Sequence, residues 1–433
     1  MTEIATAYAA RNPASAALWQ RAQKSLPGGD TRTSAYYKPY PLALVSGDGP
    51  YVWDADGNRY VDLVSNGLSL IHGHRFRPVF DALVAACREG SVWTGPTAVQ
   101  LELAEELCAR TRSFERVRFA NTGSEAGILA AKVARRATGR PLLLKAWWGY
   151  HGCYDDLEAA LHDNGELEGR TLAAPYGDAD AFERVLAERG AEIAAVVIEP
   201  ATVNGVIPAP AGFIARLREA TRRAGALLIL DECVTYRSAV GGMQEVLDVQ
   251  PDITMLGKFL GGGFPLSAIG GRADLLAVLD PSKPGRIYHG GSFNGNRLAC
   301  ATGLVTVRHL DAAAIARMNG QAEELEQTLV AAAAELELPV RFTRHGSMLA
   351  PHFFTERPEP KRAPADREAA ALFHLAGANH GLYLGPGDAL IVLNTAVTDE
   401  ALEQVKQALV ATFATIAPHV RELAARPPSA QTK

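Results

Sequence analysis

Residues 193–232, IAAVVIEPATVNGVIPAPAGFIARLREATRRAGALLILDE, place two short apolar runs on either side of a helical pattern. Ile193 to Glu199 and Ala226 to Leu230 lack polar–apolar alternation, so each reads as a strand covered on both faces, and Gly212 to Ala224 reads as the helix between them. Doubly buried strands joined by a helix imply a mostly parallel sheet wrapped by helices, an α/β fold. A ligand of such a sheet sits at the carboxyl ends of its strands.

The same alternation extends outward. Upstream lie a strand at Arg116 to Ala120, a helix from Ser124 to Thr138 ended by Gly139, a strand at Pro141 to Lys145 and a helix at Phe182 to Glu188. Downstream, Ile253 to Leu256 is a further strand. Pro96 to Arg112 has proline at an N1 position and apolar residues at 99, 103 and 107, as an amphipathic helix requires. Gly49 to Leu63 reads as a hairpin about Asp56-Gly57. After Leu304 long helical patterns return, followed by strands at Met348 to Phe354 and Ala389 to Thr395. The expected division is an N-terminal segment with a small antiparallel unit (1–65), a large α/β domain (66–305) and an α+β unit (306–433).

The 433 residues, 48% hydrophobic and 21% charged, suffice for a large core, and the formal net charge of −5 argues against nucleic acid or an anionic membrane as partner. A small molecule is the expected ligand. The five cysteines contain no C-x-x-C pair, which argues against a disulfide framework or a zinc site and favours a reducing cytoplasm. Met1 to Gln20 has no apolar core of a signal peptide, no run spans a bilayer, and the Pro-Pro-Ser tail from Arg426 to Lys433 is expected to fray.

Three features carry chemistry. Asn121-Thr122-Gly123-Ser124-Glu125-Ala126 turns from strand into helix, with Gly123 for a tight turn and Ser124 as N-cap, and the unpaired N–H groups of such a turn cradle a phosphate. Asp231, with Glu232 beside it, emerges at the end of a buried strand and needs a cationic or donating partner to remain ionised. Lys258 follows Ile253 to Leu256, precedes a glycine-rich segment and is the sole lysine between Lys145 and Lys283. A capped helix start, a satisfied aspartate and a solvent-seeking lysine are the ordinary readings of each alone. Together they match what pyridoxal 5′-phosphate (PLP) requires: an anchor for its phosphate, an amine for its aldehyde and an acid for its ring nitrogen. Trp147-Trp148-Gly149-Tyr150-His151-Gly152 adds an aromatic to stack on the ring.

With these motifs the chain resembles a class III (subgroup II) PLP-dependent aminotransferase of fold type I, in the branch of glutamate-1-semialdehyde aminomutase and β-amino acid aminotransferase. Pro27-Gly28-Gly29, Val52 to Gly57, Asn121 to Ala126, Gly149 to Gly152, Glu199-Pro200, Asp231 to Thr235, Leu256 to Pro265 and Gly291 to Asn296 carry the resemblance. It implies a smaller α+β domain formed by the two chain ends. Lys258 would be the Schiff-base lysine, Asp231 the partner of the pyridine nitrogen, Gly123 and Ser124 the phosphate cradle, and Tyr150 the stacking ring. Asn204 would approach the ring hydroxyl, and Val234, where many members have glutamine and this branch usually methionine, would give the ring an apolar face. Ser292 stands where a threonine commonly reaches the neighbouring subunit's cofactor, which implies a homodimer with shared sites.

The segment Thr31 to Leu42 resembles that of β-amino acid aminotransferases, so Arg32 is the candidate anchor for a substrate carboxylate and Arg237 a second. A true aminomutase would have tryptophan at Asn66 and a longer segment between Cys153 and Ala174. Gly385 to Ala389 lacks the arginine that β-amino acid enzymes present to the acceptor, and Asp388 nearby hints at an unusual second substrate. The expected activity is transfer of an amino group from a β-amino acid or related amino carboxylate to a keto acid or aldehyde. An aminomutase or racemase on the same site is the alternative. A non-catalytic protein of this fold is remote with Lys258 and Asp231 present, and no G-x-G-x-x-G or Walker A sequence supports a nucleotide site.

Overall fold

The computed structural model describes residues 3–159, 170–387 and 389–426. Half of the segment between Cys153 and Ala174 (residues 160–169), Asp388 and all but the first residue of the Pro-Pro-Ser tail lie outside the described residues. Two compact units are present: residues 77–204 with 208–315, and residues 1–76 with 205–207 and 316–433.

The first unit holds a seven-stranded sheet: β1 (Arg116–Ala120), β2 (Leu142–Ala146), β3 (Thr171–Ala174), β4 (Ile193–Ile198), β5 (Leu227–Asp231), β6 (Ile253–Leu256) and β7 (Ser267–Gly271). Their spatial order is β1-β7-β6-β5-β4-β2-β3, and only β7 runs against its neighbours. Alternate residues feed two separate cores. Leu143, Val197, Ile229 and Met255 pack against α1 (Gly123–Thr138), while Leu144, Val196, Leu228 and Leu230 pack against α2 (Phe213–Ala224). Burial on both sides explains why these runs carry no period-two pattern.

Sequence reasoning missed β3 and β7. The glycines of β7, Ser-Ala-Ile-Gly-Gly, are poor strand formers and continue a glycine-rich stretch, yet all five residues are buried. Gly270 is required there, because a Cβ would meet the Phe114 ring at 2.4 Å. Two expected helix starts also shift. Ala98–Arg110 is capped by Thr97, whose side chain accepts from Gln100 N, so Pro96 precedes the cap instead of occupying N1. The cap of α1 is Thr122 and not Ser124: its backbone is extended, and its hydroxyl accepts from Glu125 N.

The second unit contains the expected hairpin, Tyr51–Asp54 against Arg59–Asp62, inside a four-stranded sheet that Leu382–Tyr383 joins in parallel. Its second sheet pairs Val340–His345, Met348–Phe353 and Ile391–Val392, so the strand expected over Ala389 to Thr395 shortens to two residues. The two chain ends build one core, with Tyr8, Tyr60, Phe353, Phe373 and Phe413 buried together. No single helix among the described residues is long and apolar enough to cross a membrane.

One contact fixes the turn after β6. In α3 (Arg297–His309), Thr302 Oγ1 donates to Gly261 O at 2.8 Å, and a Cβ on Gly303 would lie 2.3 Å from Leu260 O. Gly303→Ala must therefore push α3 off the turn that begins at Lys258. It is expected to lose ~1–3 kcal/mol of stability in urea denaturation, and a wild-type midpoint would show that the helix moves aside freely.

Candidate active site

Five strand ends meet at the carboxyl edge of the sheet. They enclose a cavity of about 230 Å³ whose lining includes Gly123, Ser124, Tyr150, Asp231, Val234 and Lys258. Six of the expected cofactor residues are thereby brought together. His151, Glu199 and Cys233 line it as well.

Asp231 ends β5 and is 5% exposed. Burial pushes its carboxyl up, but the bond from His151 Nδ1 (2.8 Å) and the one from Cys233 N (3.0 Å) outweigh it and hold the group below the usual carboxylate range. Burial, with the charge of Lys145 adding, pushes His151 below its ordinary value. A neutral imidazole donating Nδ1–H to an ionised Asp231 is the resulting pair. His151 had no role assigned from sequence; its place one residue after Tyr150 was the available signal.

Glu199 follows β4 and is buried. Burial and then the charge of Asp231 push it up to about 8, against the N–H groups of Val203 and Tyr150 and the charge of Lys258. Glu232 faces elsewhere. It accepts from Met243 N and from Gln244 N and Nε2, which makes it a brace for residues 242–244 and leaves the cavity to Asp231.

Lys258 opens a short turn with φ 51°, an uncommon conformation for a residue with a Cβ. Its half-buried side chain lines the cavity. Lys145, the lysine before it in the chain, is buried and bonds three carbonyl oxygens, so Lys258 is the lysine of the cavity.

The start of α1 presents backbone donors to the cavity. Thr122 uses its hydroxyl on Glu125 N, which leaves the N–H groups of Gly123 and Ser124 at the helix end for an anion. Ser124 Oγ accepts from Cys153 N at 2.9 Å, and Gly152, at φ 107°, lies so close that a Cβ there would stand 2.6 Å from Ser124 Cα. The anion-ready helix end, the ionised acid, the lysine and the tyrosine occupy one cavity, and this donor set fits PLP.

The remaining expected residues lie elsewhere. Asn204 donates Nδ2–H to Trp148 O at 3.1 Å and does not line the cavity. Ser292 is exposed on a second cavity of about 460 Å³, with Trp93, Arg118, His289 and Arg297. Arg237 is 1% exposed, and burial lowers its guanidinium to about 9. Arg32 belongs to the other unit, where it is exposed and its Nη1 donates to Asn66 Oδ1 at 2.9 Å.

Residues 33–413 match the family model described as aminotransferase class-III. The chain belongs to the class III aminotransferases. Among the relatives of this aminotransferase, glutamate-1-semialdehyde 2,1-aminomutase of Thermomicrobium roseum is 37% identical over 86% of this chain and 91% of its own length. Beta-phenylalanine transaminase of Variovorax paradoxus is 33% identical over 92% of each chain. Among solved structures, an omega-transaminase from Sphaerobacter thermophilus superimposes with a TM-score of 0.89 at 34% identity, covering 94% of this chain and 98% of its own. These findings make the protein a PLP-dependent aminotransferase with fold type I architecture.

The buried carboxyl of Glu199 gives the aminotransferase a defined pH response. Unfolded, a glutamate loses its proton near pH ~4.3; folded, Glu199 keeps it to about 8. The native state binds more protons between those values, so this contribution to stability falls as pH rises through that window. Glu199→Gln is expected to flatten part of the decline in urea titrations of the apoprotein; an unchanged slope would show that Glu199 is already ionised. Gly152→Ala, which drives a methyl group into Ser124, is expected to weaken PLP binding by ~10-fold or more in fluorescence titrations.

Proposed function

We propose that the enzyme transfers an amino group from a β-amino acid, or a related amino carboxylate, to a keto acid or aldehyde. The observation that carries the chemistry is the meeting of Lys258, Asp231, Tyr150 and the Gly123–Ser124 helix end in one cavity. The likeness to beta-phenylalanine transaminase, together with Arg32 in the segment 31–42, supports the choice of donor.

Bound at this edge, PLP supplies an aldehyde for amine capture and a protonated ring that draws electrons from the reacting carbon. With PLP bound, Lys258 would contribute the amine that holds the aldehyde and the base that moves a proton at the substrate carbon. Asp231, kept ionised by His151, holds the proton of the ring nitrogen. Gly123 and Ser124 hold the phosphate, and Tyr150 and the apolar Val234 bound the ring. Arg32 would anchor the substrate carboxylate, with Arg237 second.

Residues 385–387, Gly-Pro-Gly, offer no cation to an acceptor's second carboxylate, which supports an acceptor other than 2-oxoglutarate. Exposed Trp93, Tyr288 and Phe293 in the neighbourhood of Ser292 support a homodimer in which Ser292 serves the partner's cofactor. Five cysteines, all free thiols, support a cytoplasmic location. The relatives named as aminomutases support a second reading, an internal amino-group shift on the same site.

The test follows the visible absorbance of the PLP-loaded enzyme with panels of α-amino acids, β-amino acids and simple amines. A β-amino acid is expected to bleach the visible band, and Lys258→Ala to lower turnover by ~10³-fold or more. Bleaching by α-amino acids or amines alone would overturn the donor; a band that no donor bleaches would favour the aminomutase.

A further inference from the structure

Strand β2 delivers a lysine that the chemistry above does not use. Lys145 is 1% exposed, and its Nζ donates to Gly149 O at 2.7 Å, Leu157 O at 2.6 Å and Ala159 O at 2.7 Å. An ammonium has three protons, and all three are taken. The acceptors belong to a single segment, residues 149–159, which leaves β2 and brings Tyr150 and His151 to the cavity. If this segment needed only packing, an apolar side chain would serve without the desolvation that a buried cation incurs. A cation there is stable only while ordered carbonyl oxygens replace its water, so its charge and the fold of the segment require each other.

The surrounding charges are few. Glu199 at the end of β4 and Glu158 within the segment face Lys145, and burial outweighs both to lower the ammonium to about 8. His151 is faced by Asp231 from β5 and by Lys145 from β2. Glu199 in turn is faced by Asp231 and Lys258.

We infer that Lys145 is a positioning residue of the cofactor site: its ammonium, bonded to three carbonyl oxygens of residues 149–159, folds that segment onto the carboxyl edge so that Tyr150 and His151 enter the cavity. The consequence at the cofactor rests on the PLP reading above; the hold on the segment does not.

The test uses full-length Lys145→Met and Lys145→Arg, each with and without PLP. Hydrogen exchange over residues 149–159 is expected to accelerate at least ~10-fold in the methionine variant while residues 193–198 stay at the wild-type rate. PLP is expected to bind ~10-fold more weakly. The pH midpoint of the bound cofactor's absorbance should move upward, because a positive charge has left its neighbourhood. Lys145→Arg keeps the charge, so it should restore the midpoint but only part of the exchange protection, since a planar guanidinium does not reproduce three converging bonds.

A methionine variant with wild-type exchange and an unmoved midpoint overturns the proposal. If that variant does not fold, Lys145→Arg decides alone: faster exchange at 149–159 with a wild-type midpoint supports it, and wild-type exchange overturns it. Failure of the wild-type protein to bind PLP would overturn the cofactor reading, while exchange in the apoprotein would still decide whether Lys145 holds the segment.

Discussion

At the end of β5 an aspartate with almost no access to water is kept ionised by an imidazole N–H at 2.8 Å and a backbone N–H at 3.0 Å. Removing a carboxylate from water costs several kcal/mol, and a hydrogen bond to a charged group returns ~1.5–3 kcal/mol, so two are the least that offset the burial. One donor is a neighbour in the chain; the other comes from across the sheet, on the segment after β2. The site therefore exists only while β2 and β5 hold their places on either side of β4, which places the order of the strands ahead of any side chain in importance.

That order also settles which buried charges are tolerated. Asp231 carries a negative charge, Glu199 is pushed toward its neutral form, and Lys145 spends its proton donors on carbonyl oxygens. Each solves the burial problem differently: a donor pair, protonation and a carbonyl cage. Val234 and Cys233 fill the adjoining surface without adding charge. A cofactor that brings its own phosphate and ring nitrogen meets an edge whose charges are already matched to it.

Much of this was legible in the sequence for a physical reason. Strands buried on both faces must be apolar throughout, so a polar residue at or just past the end of such a run, as with Asp231 or Lys258, marks the edge where chemistry becomes possible. What escaped notice depends on contacts distant in the chain. His151 looks like any histidine until β2 and β5 are neighbours, and Glu199 looks like a strand terminus until its two backbone donors are seen. Thr122 and Ser124 are equally good caps by residue type; the extended backbone at Thr122 decides between them. The strand β7 was hidden because close packing against Phe114 demands the glycines that disguise it.

The reversal of β7 has a further consequence for how such an enzyme can diversify. Because β7 returns antiparallel beside β6, residues 257–266 join adjacent strands directly, with no need to climb over the sheet as the crossovers through α1 and α2 do. Both ends of this link are hydrogen-bonded into the sheet, so an insertion or deletion within it would tug on two strands at once and displace the lysine. Crossovers have slack to absorb length changes. Novelty in substrate range should therefore accumulate in the long connections, while the lysine's link keeps its length like a part machined to a fixed gauge.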